Sequence, residues 1–113
     1  MQEFNTQAKI KEVLKSLGDF KDEELKHIAG TGLIIDIIGE GPESDKPLNI
    51  ALRADIDGLE MEEANHDLPY RTQTKYAHMC GHDGHTATLI MAGCILNKYR
   101  NKIPKGSKVR LMF

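Results

Sequence analysis

The amino-acid sequence predicts an α/β fold in which a small sheet is flanked by helices. Two segments place apolar residues at helical spacing, and three others are Ile-rich, apolar or partly alternating, as strands are. They follow one another as helix, strand, strand, long loop, helix, strand. This order predicts that the first two strands pair as a hairpin and that a crossover helix leads to the last strand.

Helices are predicted over residues 5–17 and 86–99. Gly18 follows the first as a C-terminal stop, since glycine readily adopts the conformation that ends a helix. The second carries so little polar surface that we expect it to be well buried. Cys94 within it is expected to be a buried core thiol.

Strands are predicted over residues 31–38, 48–56 and 108–113. The segment 39–47, dense in Gly, Pro, Ser and charge, predicts the turn or loop between the first two strands. The polar, irregular segment 60–75 is long for a loop in a small domain, and such loops are often functional. The last strand runs to the final residue without a solvated tail, so we expect an incomplete domain.

The composition excludes several classes of function. The 113 residues carry a formal net charge of −2, with 40% hydrophobic and 28% charged residues, which fits one small soluble domain. A near-neutral chain lacks the basic face that nucleic acids require. No apolar run is long enough for a signal peptide or a membrane span, so a cytoplasmic protein without membrane contact is expected. Two cysteines are few for a secreted disulfide scaffold.

One segment, His78–His85, concentrates residues that bind transition metals. Three histidines, one cysteine and one aspartate fall within these positions. Alternate side chains of an extended loop point the same way, so His78, Cys80 and His82 are expected to face one point. Gly81 and Gly84 let the backbone turn around an ion. The helix predicted from residue 86 places the segment at a helix N-terminus.

Other interpretations of this segment stay open. The residues are also compatible with a polar loop that holds no ligand, although their density favours a metal. A zinc finger fits poorly, because no second Cys/His pair follows at finger spacing. A nucleophilic Cys80 with a histidine base is a further alternative, but residues so near in sequence rarely present a base at the right angle.

Two carboxylates, Asp55 and Asp57, lie at the end of a predicted strand, after Arg53. Sites of open α/β sheets assemble at strand ends. Alternation places both aspartates on one side, and one of them is expected to accept a hydrogen bond from a ligating histidine and fix its ring. Without the Cys/His segment, an ordinary solvated strand exit would be the better interpretation.

Together these motifs resemble the aminoacylase/carboxypeptidase family of metallopeptidases. The resemblance rests on residues 51–59, on Pro69-Tyr70 and on residues 78–86, in the family's order and at about its spacing. Gly30-Thr31-Gly32 and the ending Val109-Arg110-Leu111 also fit, so nearly the whole chain is covered. The nearest branch contains hippurate hydrolase, bacterial N-acyl-amino-acid amidohydrolases and plant auxin-conjugate hydrolases.

The resemblance implies roles for individual residues. Cys80 and His82 match the family's first two metal ligands, and Asp57 matches the aspartate that supports catalysis beside the metals. Asp55 belongs to the same motif as Asp57. Asp83 and His85 complete the second motif and are expected to support the ligands or to face the substrate.

The resemblance also implies a fold and a reaction. The family has an α/β catalytic domain with an inserted smaller dimerisation domain, so residues 1–113 are expected to be the N-terminal part of the catalytic domain, without the dimerisation domain. The implied reaction is hydrolysis of an N-acyl-amino acid, a small molecule, by water activated at divalent metal, zinc or manganese, with two ions in the complete enzyme. The complete enzyme is expected to be a homodimer.

Departures from the family's pattern predict that this chain alone is inactive. The family's general-base glutamate, a further glutamate ligand and two later histidines lie beyond residue 113, and Glu60 replaces a common proline. The arginine-rich N-terminal helix of the family is absent too. The alternative is a small metal-binding or pseudo-enzyme protein without hydrolysis.

Overall fold

The computed structural model describes residues 3–113, a mixture of helices and strands. Its elements in chain order are helix α1 (Phe4–Gly18), a 3₁₀ turn (Asp22–Glu24), strands β1 (Lys26–Ile28), β2 (Gly32–Ile38) and β3 (Asn49–Arg53), helix α2 (His82–Lys98), a second 3₁₀ turn (Arg100–Lys102) and strand β4 (Lys108–Met112). The predicted α/β class is confirmed. No helix in this described part is long and apolar enough to cross a bilayer.

The four strands form one mixed sheet in the order β1-β2-β4-β3. Strand β2 runs antiparallel to both neighbours, with Ile35 opposite Leu111 of β4. Strand β3 runs parallel to β4, with Leu52 opposite Leu111. Parallel neighbours need a long crossover, and α2 provides it, as predicted.

The predicted hairpin between β2 and β3 is wrong, because β4 lies between them. Both ends of the connecting loop bind Ser107 rather than each other. The Gly39 amide donates to the Ser107 carbonyl at 2.9 Å, and the Leu48 amide donates to Ser107 Oγ at 3.0 Å. Alternation of apolar residues fixes the face that a strand buries, but it does not select the partner strand.

Strand β2 does form a hairpin, but with β1, a strand that the sequence did not predict. The turn uses Ala29 at φ 49° and Gly30 at φ 82°. Two successive positive φ angles suit the twist of a tight hairpin. All three residues of β1 are exposed, so no burial pattern marks them as a strand.

The hydrophobic core lies between one face of the sheet and the two helices. Its buried side chains come from both helices, from the segment between α1 and β1, from β2, from the segment after β3, and from β4 and the residue that follows it: Ile10, Leu14, Phe20, Leu25, Leu33, Ile35, Ile37, Ala54, Ile56, Leu89, Val109, Leu111 and Phe113. Helix α2 approaches β4 closely, since a Cβ added at Gly93 would lie 2.5 Å from Leu111 Cδ1.

Two expectations about burial need correction. Helix α2 is less buried than predicted: Met91 and Ile95 are 54% and 51% exposed, because α1 and the sheet cover only part of its surface. Cys94 is half-buried and packs against the core rather than lying within it. Even this partial burial raises the pKa of its thiol.

Strand β3 lies at the edge of the sheet and is largely exposed along its length. Ile50 in this strand and Leu48 just before it are 45% and 58% exposed. Exposed apolar residues on an unpaired strand edge favour association with other chains.

Candidate metal centre

The chain leaves the sheet at Arg53 in an extended conformation. The Ala54 amide still donates to the Met112 carbonyl at 3.0 Å, so the exit stays attached to β4. Ala54 and Ile56 are buried, and Asp55 and Asp57 alternate with them on the less buried side. The predicted alternation of the two aspartates is therefore confirmed, and it results from burial of their apolar neighbours.

Helix α2 begins at His82 rather than at Thr86. Gly81 precedes it at φ 97°, a conformation that side-chain-bearing residues rarely adopt. Three residues of the metal-binding motif, His82, Asp83 and His85, therefore belong to the first turns of the helix and not to an extended loop.

His82 contacts the strand exit through a single ring nitrogen. Its Nδ1 lies 2.8 Å from Asp57 Oδ1 and 3.3 Å from the Asp57 carbonyl oxygen. Both oxygens are acceptors, so Nδ1 is the atom that donates, and a neutral ring then keeps the lone pair of Nε2 free. A carboxylate that orients a histidine in this way is the usual support of a metal-ligating ring.

A second contact joins α2 to the same segment. Thr86 Oγ1 donates to the Asp55 carbonyl oxygen at 3.1 Å. The Asp55 carboxylate instead forms an ion pair with Arg53. The two aspartates thus contact the helix differently: Asp57 does so through its carboxylate and its carbonyl, whereas Asp55 does so only through its backbone carbonyl.

The expectation that His78, Cys80 and His82 face one point is wrong. Within residues 3–113, no three His, Cys, Asp or Glu side chains come together in a group suited to a metal ion. The turn at Gly81 and the early start of α2 interrupt the alternation on which the expectation depended. Cys80 is exposed, and no disulfide involves it.

A cleft of about 820 Å³ lies beside this segment, between the N-terminus of α1 and the loop that follows the strand exit. Its lining residues are Glu3, Asn5, Thr6, Gly58, Glu63, Tyr70, Thr72, Thr74, Tyr76, Ala77, His78 and Asp83. Asp83 is one of these lining residues, whereas His82 is not. The His85 ring lies 5.9 Å from the His82 ring, centroid to centroid.

The long loop is ordered by its own contacts. Leu59 and Ala77 exchange two backbone hydrogen bonds of 2.9 Å that close the loop. Arg71 Nε donates to the Glu63 carbonyl at 2.8 Å, and the Thr72 amide donates to the Glu63 carboxylate at 2.9 Å. Sequence reasoning assigned no role to Glu63, Arg71 or Thr72, because they lie outside the recognised motifs.

The donor chemistry fits part of a metal centre. Cys80 offers an exposed sulfur and His82 a free Nε2, and thiolate and imidazole are the ligands that zinc prefers. Metal centres of enzymes usually have three protein ligands. Cys80 and His82 are therefore two candidate ligands, fewer than such a centre needs.

Comparison with known proteins agrees with the motifs. The model of peptidase family M20/M25/M40 matches residues 51–113, from β3 to the end of the chain. The N-acetyl-L-cysteine deacetylase of Bacillus subtilis is 45% identical over 114 residues, and the thermostable carboxypeptidase 1 of Saccharolobus solfataricus is 35% identical over 113. Each alignment covers 99% of this chain but only 25% and 26% of the relatives.

A solved structure extends the likeness to the fold. The crystal structure of a dinuclear metal-binding peptidase of the M20 family from Bacillus subtilis superposes with a TM-score of 0.80 at 32% sequence identity. The match covers all of this chain and 30% of that one. The chain thus spans between a quarter and a third of the length of these relatives, which are hydrolases. The chain belongs to peptidase family M20/M25/M40.

Proposed function

We propose that these residues form part of the metal centre of an amidohydrolase that releases an amino acid from an N-acyl-amino acid. The observation that carries the proposal is the 2.8 Å contact between Asp57 Oδ1 and His82 Nδ1, which orients the ring and leaves Nε2 for a divalent metal. Cys80, the other proposed ligand, precedes the helix and is exposed. The deacetylase among the relatives supports the reaction class.

The proposed roles follow from where each side chain lies. A bound divalent metal supplies polarisation of the scissile carbonyl and a lower pKa of the attacking water. Asp57 keeps the His82 ring in one tautomer and orientation. Asp83 lines the cleft, which supports a role towards the substrate, and the His85 ring lies 5.9 Å from the His82 ring.

We further propose that residues 1–113 form part of a catalytic domain and hydrolyse nothing by themselves. Two ligands hold an ion weakly, and in the described residues no third ligand joins them. Zinc or manganese as the metal, two ions, a homodimeric complete enzyme and a cytoplasmic location stay predictions.

Metal binding is tested with Co²⁺, because its absorption spectrum depends on which atoms ligate the ion. The 113-residue chain is titrated with Co²⁺, and the thiolate-to-cobalt absorption band is recorded. The proposal expects this band in the wild type, its loss in Cys80→Ser and weaker binding in His82→Ala. Cys94→Ser and His66→Ala are the matched controls, since neither residue lies in the proposed centre. A band that survives Cys80→Ser refutes the ligand assignment.

Hydrolysis is tested on the protein as its own cell makes it. The protein is captured with an antibody raised against these residues, its intact mass is measured, and it is incubated with N-acetyl-amino acids. The proposal expects amino-acid release that a chelator abolishes and zinc or manganese restores. Metal binding without amino-acid release would instead favour a metal-binding protein or a pseudo-enzyme.

A further inference from the structure

Helix α2 meets the strand exit at two points that share one helix face. His82 and Thr86 are four positions apart, so their side chains lie one above the other. His82 Nδ1 contacts Asp57 Oδ1 at 2.8 Å, and Thr86 Oγ1 contacts the Asp55 carbonyl at 3.1 Å. One turn of the helix therefore spans the two aspartates, which are separated by a single residue.

The hydroxyl of Thr86 is used differently from that of its neighbour Thr88. Thr88 Oγ1 donates to the Gly84 carbonyl at 2.8 Å, a bond within the helix that does not connect α2 to another segment. Thr86 is 8% exposed and donates to a carbonyl 31 positions away in the chain. A buried hydroxyl needs a partner, and here the partner is the backbone of the segment that carries Asp57.

This bond is the shorter of two side-chain links that attach the backbone of that segment to α2; the other joins His82 Nδ1 to the Asp57 carbonyl at 3.3 Å. The Asp55 carboxylate is directed to Arg53 instead, an exposed pair. The 2.8 Å contact between His82 Nδ1 and Asp57 Oδ1 tolerates little displacement, since polar contacts weaken steeply with distance and angle. A shift of the segment by about 1 Å would therefore release the His82 ring.

We propose that Thr86 is a positioning residue whose hydroxyl holds the 55–57 segment so that Asp57 fixes the His82 ring. Its effect on metal affinity rests on the proposed function, in which His82 is a ligand. Its effect on the ring itself does not depend on any metal.

The test compares three variants of the 113-residue chain. Thr86→Val removes the hydroxyl at nearly constant shape, Thr86→Ser keeps it, and Thr88→Val removes the neighbouring hydroxyl as the matched control. The first readout is the fraction of His82 rings protonated at Nδ1 in metal-free protein, from the ¹⁵N resonances of the ring. The second is the Kd for Zn²⁺, measured by competition with a coloured chelator.

The proposal expects Thr86→Val to lower the Nδ1-protonated fraction and to weaken Zn²⁺ binding about tenfold, the low end of losses seen for groups that support ligands. Thr86→Ser and Thr88→Val are expected to behave as the wild type. Equal effects of Thr86→Val and Thr88→Val would overturn the proposal.

Two further outcomes are decisive. If the wild type binds no Zn²⁺, the proposed function fails, and the His82 resonances alone decide the role of Thr86. If Thr86→Val unfolds, Thr86→Ser decides: a wild-type tautomer fraction supports the hydroxyl as the positioning group, and a lowered fraction refutes it.

Discussion

Removing the Asp57 carboxylate is the most informative single change in this protein. In the structure Asp57 Oδ1 lies 2.8 Å from His82 Nδ1, with side-chain exposures of 35% and 21%. Asp57→Ala deletes the acceptor that orients the ring, and water reaches the freed nitrogen. The Asp57 carbonyl, which lies 3.3 Å from Nδ1 and is a hydrogen-bond partner of the ring, remains.

The expected loss follows from this geometry. Groups that orient a ligating histidine typically contribute roughly 10- to 100-fold to metal affinity. This corresponds to about 1.4–2.7 kcal/mol of binding free energy. Asp57→Asn keeps an acceptor without charge, and charge-assisted bonds are about twice as strong as neutral ones, so an intermediate loss is expected.

The assay is a Zn²⁺ titration of wild type, Asp57→Ala, Asp57→Asn and Asp55→Ala in competition with a chelator. Asp55→Ala is the matched control: it removes the same charge two positions away but keeps the backbone carbonyl that accepts from Thr86. We expect it to bind nearly as the wild type does. Equal losses in Asp55→Ala and Asp57→Ala would show that net charge, and not the oriented ring, determines affinity.

Three predictions concern stability. Gly81→Ala should destabilise the fold by about 1–2 kcal/mol in urea unfolding, because φ is 97° at this position. Gly84→Ala on the exposed helix surface should instead stabilise the fold by up to about 1 kcal/mol, because alanine favours a helix more than glycine does. Leu111→Ala should cost about 2–5 kcal/mol, since this side chain is fully buried. The hydrogen bond from Arg110 lowers the pKa of Asp36, so the pair should stabilise fully above about pH 5 and lose its effect as the pH falls through the lowered pKa.

Each of these has a result that would contradict it. A Gly81→Ala chain as stable as Gly84→Ala would mean that the turn relaxes without strain. A small cost for Leu111→Ala would indicate a loosely packed core. For the ion pair, the stability difference between wild type and Asp36→Asn should shrink as the pH falls from about 5 to about 2; a constant difference would exclude the pair as its source.

The sequence predicted the elements better than their pairing. Both helices and three of the four strands follow local periodicity, which adjacent residues determine. The position of β4 between β2 and β3 depends on contacts across the sheet, such as Ile35 and Leu52 on either side of Leu111. No local pattern contains that information. Strand β1 was missed because it is short and exposed, and Ala29-Gly30 is a weak turn signal.

In the candidate site, too, local features were predictable from the sequence and contacts between distant segments were not. The alternation of Asp55 and Asp57 was predictable from the sequence, and so was a contact between one of these aspartates and a histidine of the motif. The start of α2 was not, because the glycine at position 81 was interpreted as part of a loop and not as the residue before a helix. The contact of Thr86 with Asp55 was missed for the same reason, since it exists only once the helix is in place.

Zinc X-ray absorption of the purified chain tests the proposal that Cys80 and His82 hold a divalent metal. At chain and zinc concentrations above the Kd, we expect one sulfur atom at about 2.3 Å from the zinc, together with nitrogen or oxygen atoms at about 2.0–2.1 Å. The sulfur should disappear in Cys80→Ser and persist in Cys94→Ser. If only nitrogen and oxygen atoms surround the zinc in the wild type, Cys80 is not a ligand and the proposal is wrong.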